Sequence, residues 1–296
     1  MNDLTAIAQV AASSISTGAL YALLLFGVLI VYRVSKAVNF AHGALGMIAA
    51  FTMYTLALTY GLPVWLSLVA GLALATVISF ATDRFILEPI SRRTGRDGMD
   101  LVVTLGIMLF LTAAAEWIFG TTTRSFLPLG TDQPVEVGDL FLNANQVVVT
   151  LAVFALLGAF AWFLTKTPAG LAMRAVASDP GLAGSVGLNV SRVRAITWGF
   201  AGLTAGIVGI VVASRLSVDA NYMTPFLIKA VIAGIIGGLD RFVVPLLVCF
   251  GLALFEGFAA YFVGTNFGTP AVFLLVIVLL TVLPKKFLSE KGVVRA

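Results

Sequence analysis

The sequence has very few residues that could build a disulfide, a metal centre or a redox site. Its 296 residues include one cysteine, Cys249, and one histidine, His42. A single cysteine cannot form a disulfide within the chain, and a single histidine leaves no ordinary protein-only zinc site. We therefore expect neither a metal nor an internal cross-link.

Charged residues are also scarce. They make up 11% of the sequence and hydrophobic residues 60%, whereas a soluble domain has about 25% charged and about 45–50% apolar residues. The apolar residues form continuous runs, unlike the alternating strands of a transmembrane barrel. The composition therefore predicts an all-α polytopic integral membrane protein.

Sequence motifs for catalysis and for nucleotide binding are missing. There is no G-x-x-x-x-G-K-[ST] stretch, so we expect no ATP bound through a P-loop. There is no Ser-His-Asp set in a workable register. We expect a chain that is not itself an enzyme and that binds no cofactor of its own. The net charge of +4 reflects which side the loops face, and it does not indicate a nucleic-acid partner.

Apolar segments follow one another along the whole chain. A hydrocarbon core of about 30 Å needs about 20 apolar residues per helix. The segments are approximately 5–31, 44–58, 62–82, 101–119, 146–164, 195–213, 225–239, 242–263 and 270–283. They predict a single membrane domain over residues 1–296 with eight or nine crossings. The number depends on whether the short segment 225–239 crosses or forms a re-entrant hairpin.

The basic residues predict the orientation, because loops rich in lysine and arginine face the cytoplasm. If all nine segments cross and the N-terminus is extracytoplasmic, 15 of the 18 basic residues lie inside. The three outside are Arg124, Arg215 and Lys229. We therefore expect an extracytoplasmic N-terminus and a cytoplasmic C-terminus. A re-entrant hairpin at 225–239 would instead place both termini on one side.

Two loops differ in character. The predicted extracytoplasmic loop, about 120–145, is acidic and contains proline. The predicted cytoplasmic loop, about 166–194, combines small apolar residues with charges, and Pro168, Pro180 and Gly187 mark helix ends. This pattern is typical of a short amphipathic helix on the inner membrane face.

Polar residues interrupt the apolar pattern between the first two segments, in "AVNFAHGALGM". Non-helical backbone at membrane depth must be buried in protein or line a watery cavity. We therefore take Asn39, Phe40, His42 and Gly43 as candidates for a substrate path or its gate. The alternative is an inside loop with His42 at the membrane interface.

Glu256 lies in the middle of an apolar run, "LALFEGFAAYF". A carboxylate at this depth is costly and should face protein or water. Glu256 is therefore a further candidate for the path. Alternatively, it forms a structural ion pair with Lys229 or Arg215.

Two stretches of the sequence carry recognisable motifs. The first contains G-x-x-Y-A-L and N-F-A-H-G, formed by Gly18, Tyr21, Ala22, Leu23, Asn39, Phe40, Ala41, His42 and Gly43. The second lies in the predicted cytoplasmic loop and is formed by Met173, Arg174, Ala175, Ala177, Asp179, Ala183, Gly187 and Arg192. In both motifs the sequence resembles the LivH-type permeases of branched-chain amino acid ABC transporters. A late Gly-rich segment and the helix with Glu256 are also similar to that family, so the resemblance covers nearly the whole chain.

The resemblance implies an ABC importer permease architecture in the bacterial plasma (inner) membrane. The chain would import branched-chain or related amino acids as one of two permeases, homodimeric or heterodimeric. Two cytoplasmic ATPases would hold ATP and Mg, and an extracytoplasmic binding protein would deliver substrate. The loop at 166–194 would be the coupling helix, and the residues that would contact the ATPase are Arg174, Ala175, Asp179, Gly187 and Arg192. Urea, short amides and other small acids are alternative substrates in this family.

Two other functions are compatible with a polytopic helical protein. An ion-coupled secondary transporter would place several carboxylates at membrane depth, and Glu256 is the only well-centred one. A small-solute channel could use the "NFAH" break as a filter, but it would not need the small-residue loop at 166–194.

Overall fold

The computed structural model describes residues 3–90, 99–126, 134–137 and 140–282. Its helices are α1 (Asp3–Ser35), α2 (His42–Tyr54), α3 (Val64–Ala81), α4 (Met99–Phe119), α5 (Ala144–Lys166), α6 (Pro168–Ser178), α7 (Pro180–Ser185), α8 (Val190–Ala213), α9 (Thr224–Gly237), α10 (Val243–Phe262) and α11 (Gly268–Val282). The described residues are predominantly helical, which confirms the predicted all-α class.

Wider helical turns extend two of these helices. Residues Thr55–Thr59 continue α2 and Thr82–Leu87 continue α3, both as π-helical turns. A short 3₁₀ turn, Thr265–Phe267, precedes α11. The described residues include four short strands: β1 (Arg124–Ser125), β2 (Pro134–Val137), β3 (Leu140–Asn143) and β4 (Ser217–Val218). They form two antiparallel pairs, β1 with β4 and β2 with β3.

Seven of the described helices are long and apolar enough to cross a membrane, and two shorter apolar helices accompany them. Segment 225–239 forms the single helix α9, so it is not a hairpin. At about 1.5 Å per residue α9 is about 21 Å long, which is shorter than a hydrocarbon core of about 30 Å. The nine predicted segments thus all correspond to apolar helices, with a break between α1 and α2.

Apart from the start of α2, the described helix ends fall into two groups at opposite ends of the bundle. Lys36, just after α1, pairs with Asp240, just after α9, at 2.7 Å. The end of α3 meets the start of α8 through Asp83 and Arg194, whose Oδ1 and Nε are 2.6 Å apart. We call this the basic end. At the other end of the bundle, β1, which follows α4, pairs with β4, which follows α8. We call this the strand end.

This grouping agrees with the sides predicted from lysine and arginine. The described basic residues assigned to the inside belong to segments at the basic end. Arg92, Arg93, Arg96 and the four basic residues after position 283 lie outside the described residues.

Helix α1 is the centre of the bundle. Residues 19–31 are almost all buried, and α1 packs against α5, α8, α9 and α10. A helix that is apolar all round is expected to lie inside a bundle. In contrast, α4, α5 and α10 expose large apolar side chains such as Trp117 and Trp162. This exposed surface suits contact with lipid or with another membrane protein.

The backbones of α2 and α8 approach closely at a pair of glycines. A methyl group added at Gly209 would lie 2.1 Å from the carbonyl oxygen of Gly46. One added at Gly46 would lie 2.6 Å from the carbonyl oxygen of Ala205. Small residues permit such contact between membrane helices. This crossing fixes α8 beside the break that precedes α2.

We predict that Gly209→Ala destabilises the folded protein by about 1–3 kcal/mol, because α2 and α8 must move apart to admit the methyl group. The measurement is the melting temperature of the detergent-purified protein. Gly158→Ala is the control, since a methyl group at Gly158 would meet nothing within 4 Å. Equal melting temperatures for the two variants would contradict the close crossing.

Candidate functional site

The polar break lies inside the bundle. Lys36 adopts a left-handed backbone conformation with φ 55, and residues 37–41 are not helical before α2 begins at His42. A methyl group at Gly27 would lie 2.6 Å from the His42 ring. Gly27 is eight residues before the end of α1, which is about 12 Å along the helix axis. His42 therefore lies well within the bundle, beneath the basic end.

Asn39 and His42 are fully buried, and their side-chain polar atoms have no hydrogen-bond partner of good geometry among the described residues. The Leu24 carbonyl is the backbone group that faces the His42 imidazole. Leaving a buried polar group unpaired costs about 1–3 kcal/mol. The break therefore lowers stability in this conformation, which is typical of a functional position.

The other two residues of the break are placed differently. Gly43 is buried against Leu227 of α9 and lines a small cavity of about 10 Å³ with Met47 and Met223. Phe40 is half-buried and packs against the main hydrophobic core. The four predicted residues thus lie in one short segment, but they do not converge on a single cavity.

Glu256 belongs to a separate cluster nearer the strand end. Its carboxylate forms an ion pair with Lys229 of α9 and accepts a hydrogen bond from the Tyr21 hydroxyl at 2.8 Å. Thr269 of α11 donates to the same carboxylate at 2.8 Å. Lys229 also donates to Tyr21 at 3.2 Å and to Thr269 at 2.9 Å. Four helices therefore contribute one polar side chain each.

Three members of the cluster, Tyr21, Lys229 and Glu256, line a groove of about 480 Å³ between α1, α9 and α10, which we call the outer groove. Ligand-binding pockets commonly have volumes of about 300–1,000 Å³. Polar atoms come from Gln9 and Ser13 as well as the cluster, and much of the remaining wall is apolar. Phe226 packs edge-on against Tyr21, with ring centroids 5.5 Å apart.

The sequence left two alternatives for Glu256, a place on the path or a structural ion pair, and this arrangement contains features of both. It pairs with Lys229, and it also borders the outer groove. Arg215 does not take this role, because its guanidinium donates to the Ser16 hydroxyl at 2.9 Å. Burial lowers the pKa of Arg215. Lys229, Tyr21 and Thr269 were not predicted as site residues, since their proximity to Glu256 depends on helix packing.

The loop at 166–194 contains two helices, α6 and α7, where the sequence predicted one. Thr167 caps α6 by accepting from the Gly170 amide at 3.1 Å. Asp179 caps α7 by accepting from the Gly181 and Leu182 amides at 2.8 and 3.0 Å. Gly187, with φ 91, follows the end of α7. The prolines and Gly187 therefore mark helix ends, as predicted.

The surface of this loop is exposed at the basic end. Arg174, Asp179, Gly187 and Arg192 are exposed, and Ala175 is partly buried. Leu182 and Val186 are exposed by 66% and 77%, although the sequence did not single them out. Met173 and Val176 face inward and are buried. The loop thus presents a capped, partly apolar surface on a buried support.

An ion pair anchors the helix that follows this loop. The Asp83 side chain is fully buried and pairs with Arg194 in the first turns of α8. Arg84 of the same π-helical turn donates to Ser191 at 2.8 Å. The Trp198 indole donates to Ser35 at the end of α1, at 3.3 Å. The start of α8 is therefore tied to both α3 and α1.

Comparison with known proteins identifies the family. The family model described as "Branched-chain amino acid transport system / permease component" matches residues 10–283. The high-affinity branched-chain amino acid permease protein LivH of Escherichia coli K12 is 25% identical over 294 residues, covering 95% of each chain. A probable LivH of Methanocaldococcus jannaschii is 26% identical over 259 residues, covering 84% of this chain and 80% of that one.

A third relative is named for a different substrate. The guanosine ABC transporter permease protein NupQ of Bacillus subtilis is 30% identical over 206 residues, covering 64% of this chain and 62% of that protein. Among solved structures, PsaBC from Streptococcus pneumoniae matches over 96% of this chain and 92% of that chain, with 13% identity and a TM-score of 0.44. The family match spans nearly the whole chain, so the chain belongs to the permease components of branched-chain amino acid transport systems.

Proposed function

We propose that this chain forms the substrate path of an ATP-driven importer for branched-chain or related amino acids. Family membership makes it a multi-pass permease component of an ABC transporter and a transport subunit, not an enzyme. It does not favour the ion-coupled transporter or the channel. The observation that carries the proposal is the division of the molecule into a groove near the strand end and a capped, exposed loop at the basic end.

The basic end is the cytoplasmic end in this proposal. Cytoplasmic loops carry an excess of lysine and arginine, and the described residues at this end include Arg33, Lys36, Arg84 and Arg174. The N-terminus is then extracytoplasmic and the C-terminus cytoplasmic, in a bacterial inner membrane. The outer groove faces the side from which an importer receives its substrate.

The partners follow from the same division. The family implies ATPases and a substrate-binding protein in general. We place a second permease, identical or a sibling, beside this chain, two ATPases at the basic end and the binding protein at the strand end. ATP and Mg bind to the ATPases, and this chain binds no cofactor. No nucleic acid takes part.

The ATPase contact is built on α6 and α7. Leu182 and Val186 supply exposed apolar surface, and Arg174 and Arg192 supply charge at its edge. Asp179 and Gly187 act by shaping the loop, since one caps the start of α7 and the other lies in the turn that follows its end. Ala175 keeps the surface low enough for close docking.

The motion of the docked loop reaches the break through α8. This helix starts beside the loop, is bonded to α3 and α1, and passes His42, where Thr204 and His42 both face Gly27. Packed helices transmit displacement because their interiors are dense. Asn39, Phe40, His42 and Gly43 then form the gate, and Glu256 lines the path outside it. The unpaired atoms of Asn39 and His42 find polar partners when the gate is wet.

We predict that Asp179→Ala reduces ATP-driven uptake of labelled L-leucine several-fold, because removing an N-cap costs about 0.5–2 kcal/mol and loosens α7. Asp179→Asn retains the cap and should preserve most uptake. Uptake is measured per amount of protein in the membrane. Unchanged uptake with Asp179→Ala would exclude this role, and equal loss with Asp179→Asn would assign the effect to charge.

The exposed apolar side chains of Leu182 and Val186, which we call the apolar tip of the loop, give a second prediction. Replacing Leu182 and Val186 together with serine should reduce recovery of the ATPases with the tagged, detergent-purified chain by about tenfold, because apolar burial contributes about 25 cal/mol per Å². Leu216→Ser at the strand end is the control, since Leu216 is also exposed. Full ATPase recovery with the double variant would contradict docking at this tip.

The gate gives a third prediction. Asn39→Leu replaces the two unpaired polar atoms with methyl groups in the same branched arrangement, so it should raise the melting temperature while reducing L-leucine uptake at least tenfold. Both quantities are measured on the same preparations. A lower melting temperature would show that Asn39 has partners in the resting protein. Normal uptake would remove it from the path.

A further inference from the structure

We propose that the Lys229–Glu256 pair is a binding site for zwitterions, which opens to take the carboxylate of an amino acid on Lys229 and its ammonium on Glu256. The proposal rests on the importer function above and names the residues that hold its substrate. The relatives include proteins named for branched-chain amino acids and one named for guanosine. The chemistry of the outer groove distinguishes these classes.

The position of the pair suits an exchange of partners. The Lys229 side chain is 5% exposed and the Glu256 side chain 18%, so the ion pair is largely removed from solvent. Glu256 borders the outer groove and is reachable from it. A buried charge needs an opposite charge wherever it goes. Any ligand that opens the pair must therefore replace both interactions.

A zwitterion is the simplest ligand that meets this condition. Its carboxylate and ammonium groups replace the two charges that Lys229 and Glu256 give each other, so no buried charge is left unpaired. A lone anion would leave Glu256 without a counter-charge, and a lone cation would leave Lys229 without one. An uncharged nucleoside or amide supplies neither charge, so it leaves the pair closed.

Two hydroxyls are placed to support both states of the pair. Tyr21 and Thr269 each donate to the Glu256 carboxylate and each accept from the Lys229 ammonium. They can keep these bonds as the two charges separate. Hydrogen bonds to charged groups are among the strong ones. The hydroxyls therefore hold both charged groups at the groove during the exchange.

The rest of the groove accepts an aliphatic side chain. Val10, Phe226, Ala253 and Ala260 contribute apolar surface next to the charged cluster. Apolar surface with a few convergent polar groups is the usual composition of a small-molecule site. The class of ligand is thus an α-amino acid with an apolar side chain.

The test is uptake by the complete importer, in cells that lack other transporters for the same substrates. Labelled L-leucine, urea and acetamide are compared for the wild type and for Lys229→Met/Glu256→Gln. Both charges are removed together, because replacing a buried ion pair with neutral groups is commonly tolerated. Lys36→Met/Asp240→Asn is the matched control, since it removes an exposed ion pair at the basic end.

We expect the wild type to import L-leucine. Uptake by the Lys229→Met/Glu256→Gln variant should be at least tenfold lower, although the amount of this variant in the membrane and its recovery of ATPases should be normal. The Lys36→Met/Asp240→Asn control should retain uptake. Full L-leucine uptake by the neutral pair would show a structural ion pair and overturn the proposal. Uptake of urea or acetamide but not L-leucine would also overturn it, while showing that the chain still serves an ATP-driven importer of small solutes. No uptake of any of the three by the wild type would count against the proposed importer of amino acids itself.

Tyr21→Phe keeps the proposal testable if the double variant does not reach the membrane. It leaves both charges in place and removes one hydroxyl that contacts both. The half-saturating concentration of L-leucine should rise several-fold, with the maximal rate little changed. An unchanged half-saturating concentration would overturn the proposal.

Discussion

The need to pair every backbone amide and carbonyl within an apolar environment governs this structure. Hydrocarbon offers no hydrogen bonds, so chain segments at membrane depth are helical or covered by other protein. Residues 37–41, between α1 and α2, are not helical although they lie at such depth, and other parts of the protein cover them. This stretch lies beside the central helix α1 and near α8. The fold thus places its irregular backbone where protein surrounds it.

Buried charges follow the same constraint and join separate helices. Lys229 and Glu256 connect α9 with α10, and their shared hydroxyl partners come from α1 and α11. Asp83 and Arg194 connect the end of α3 with the start of α8. Each pair satisfies charges that would be costly alone. The Lys229–Glu256 pair borders the outer groove, whereas the Asp83–Arg194 pair anchors α8, the helix that follows the loop at 166–194.

The loop at 166–194 is held in place by local contacts. Short side-chain caps at Thr167, Asp179 and Asn189 fix the starts of α6, α7 and α8. Buried residues such as Met173 and Val176 hold α6 on the bundle. A stiff loop transmits a push better than a flexible one. The same residues that terminate helices therefore also suit the loop for coupling to an ATPase.

The sequence by itself determined the class, the nine apolar segments, the grouping of loop ends and the helix boundaries near Pro168, Pro180 and Gly187. These features depend on composition, local periodicity and local backbone preference, which neighbouring residues suffice to define. It also identified the break at Asn39 and His42 and the unusual carboxylate of Glu256, because polar groups stand out in apolar runs. Their roles in transport stay predictions.

Only the tertiary structure decided which polar groups meet. Tyr21, Lys229, Glu256 and Thr269 are separated by up to 248 positions, and no sequence spacing indicates their contact. Packing also placed Glu256 in a different region from the break, paired it with Lys229 and directed Arg215 to Ser16. It resolved segment 225–239 as one helix and the loop at 166–194 as two. Contacts between helices depend on how whole helix surfaces fit together. A single sequence shows which residues each helix carries, but it does not show which other helix packs against them.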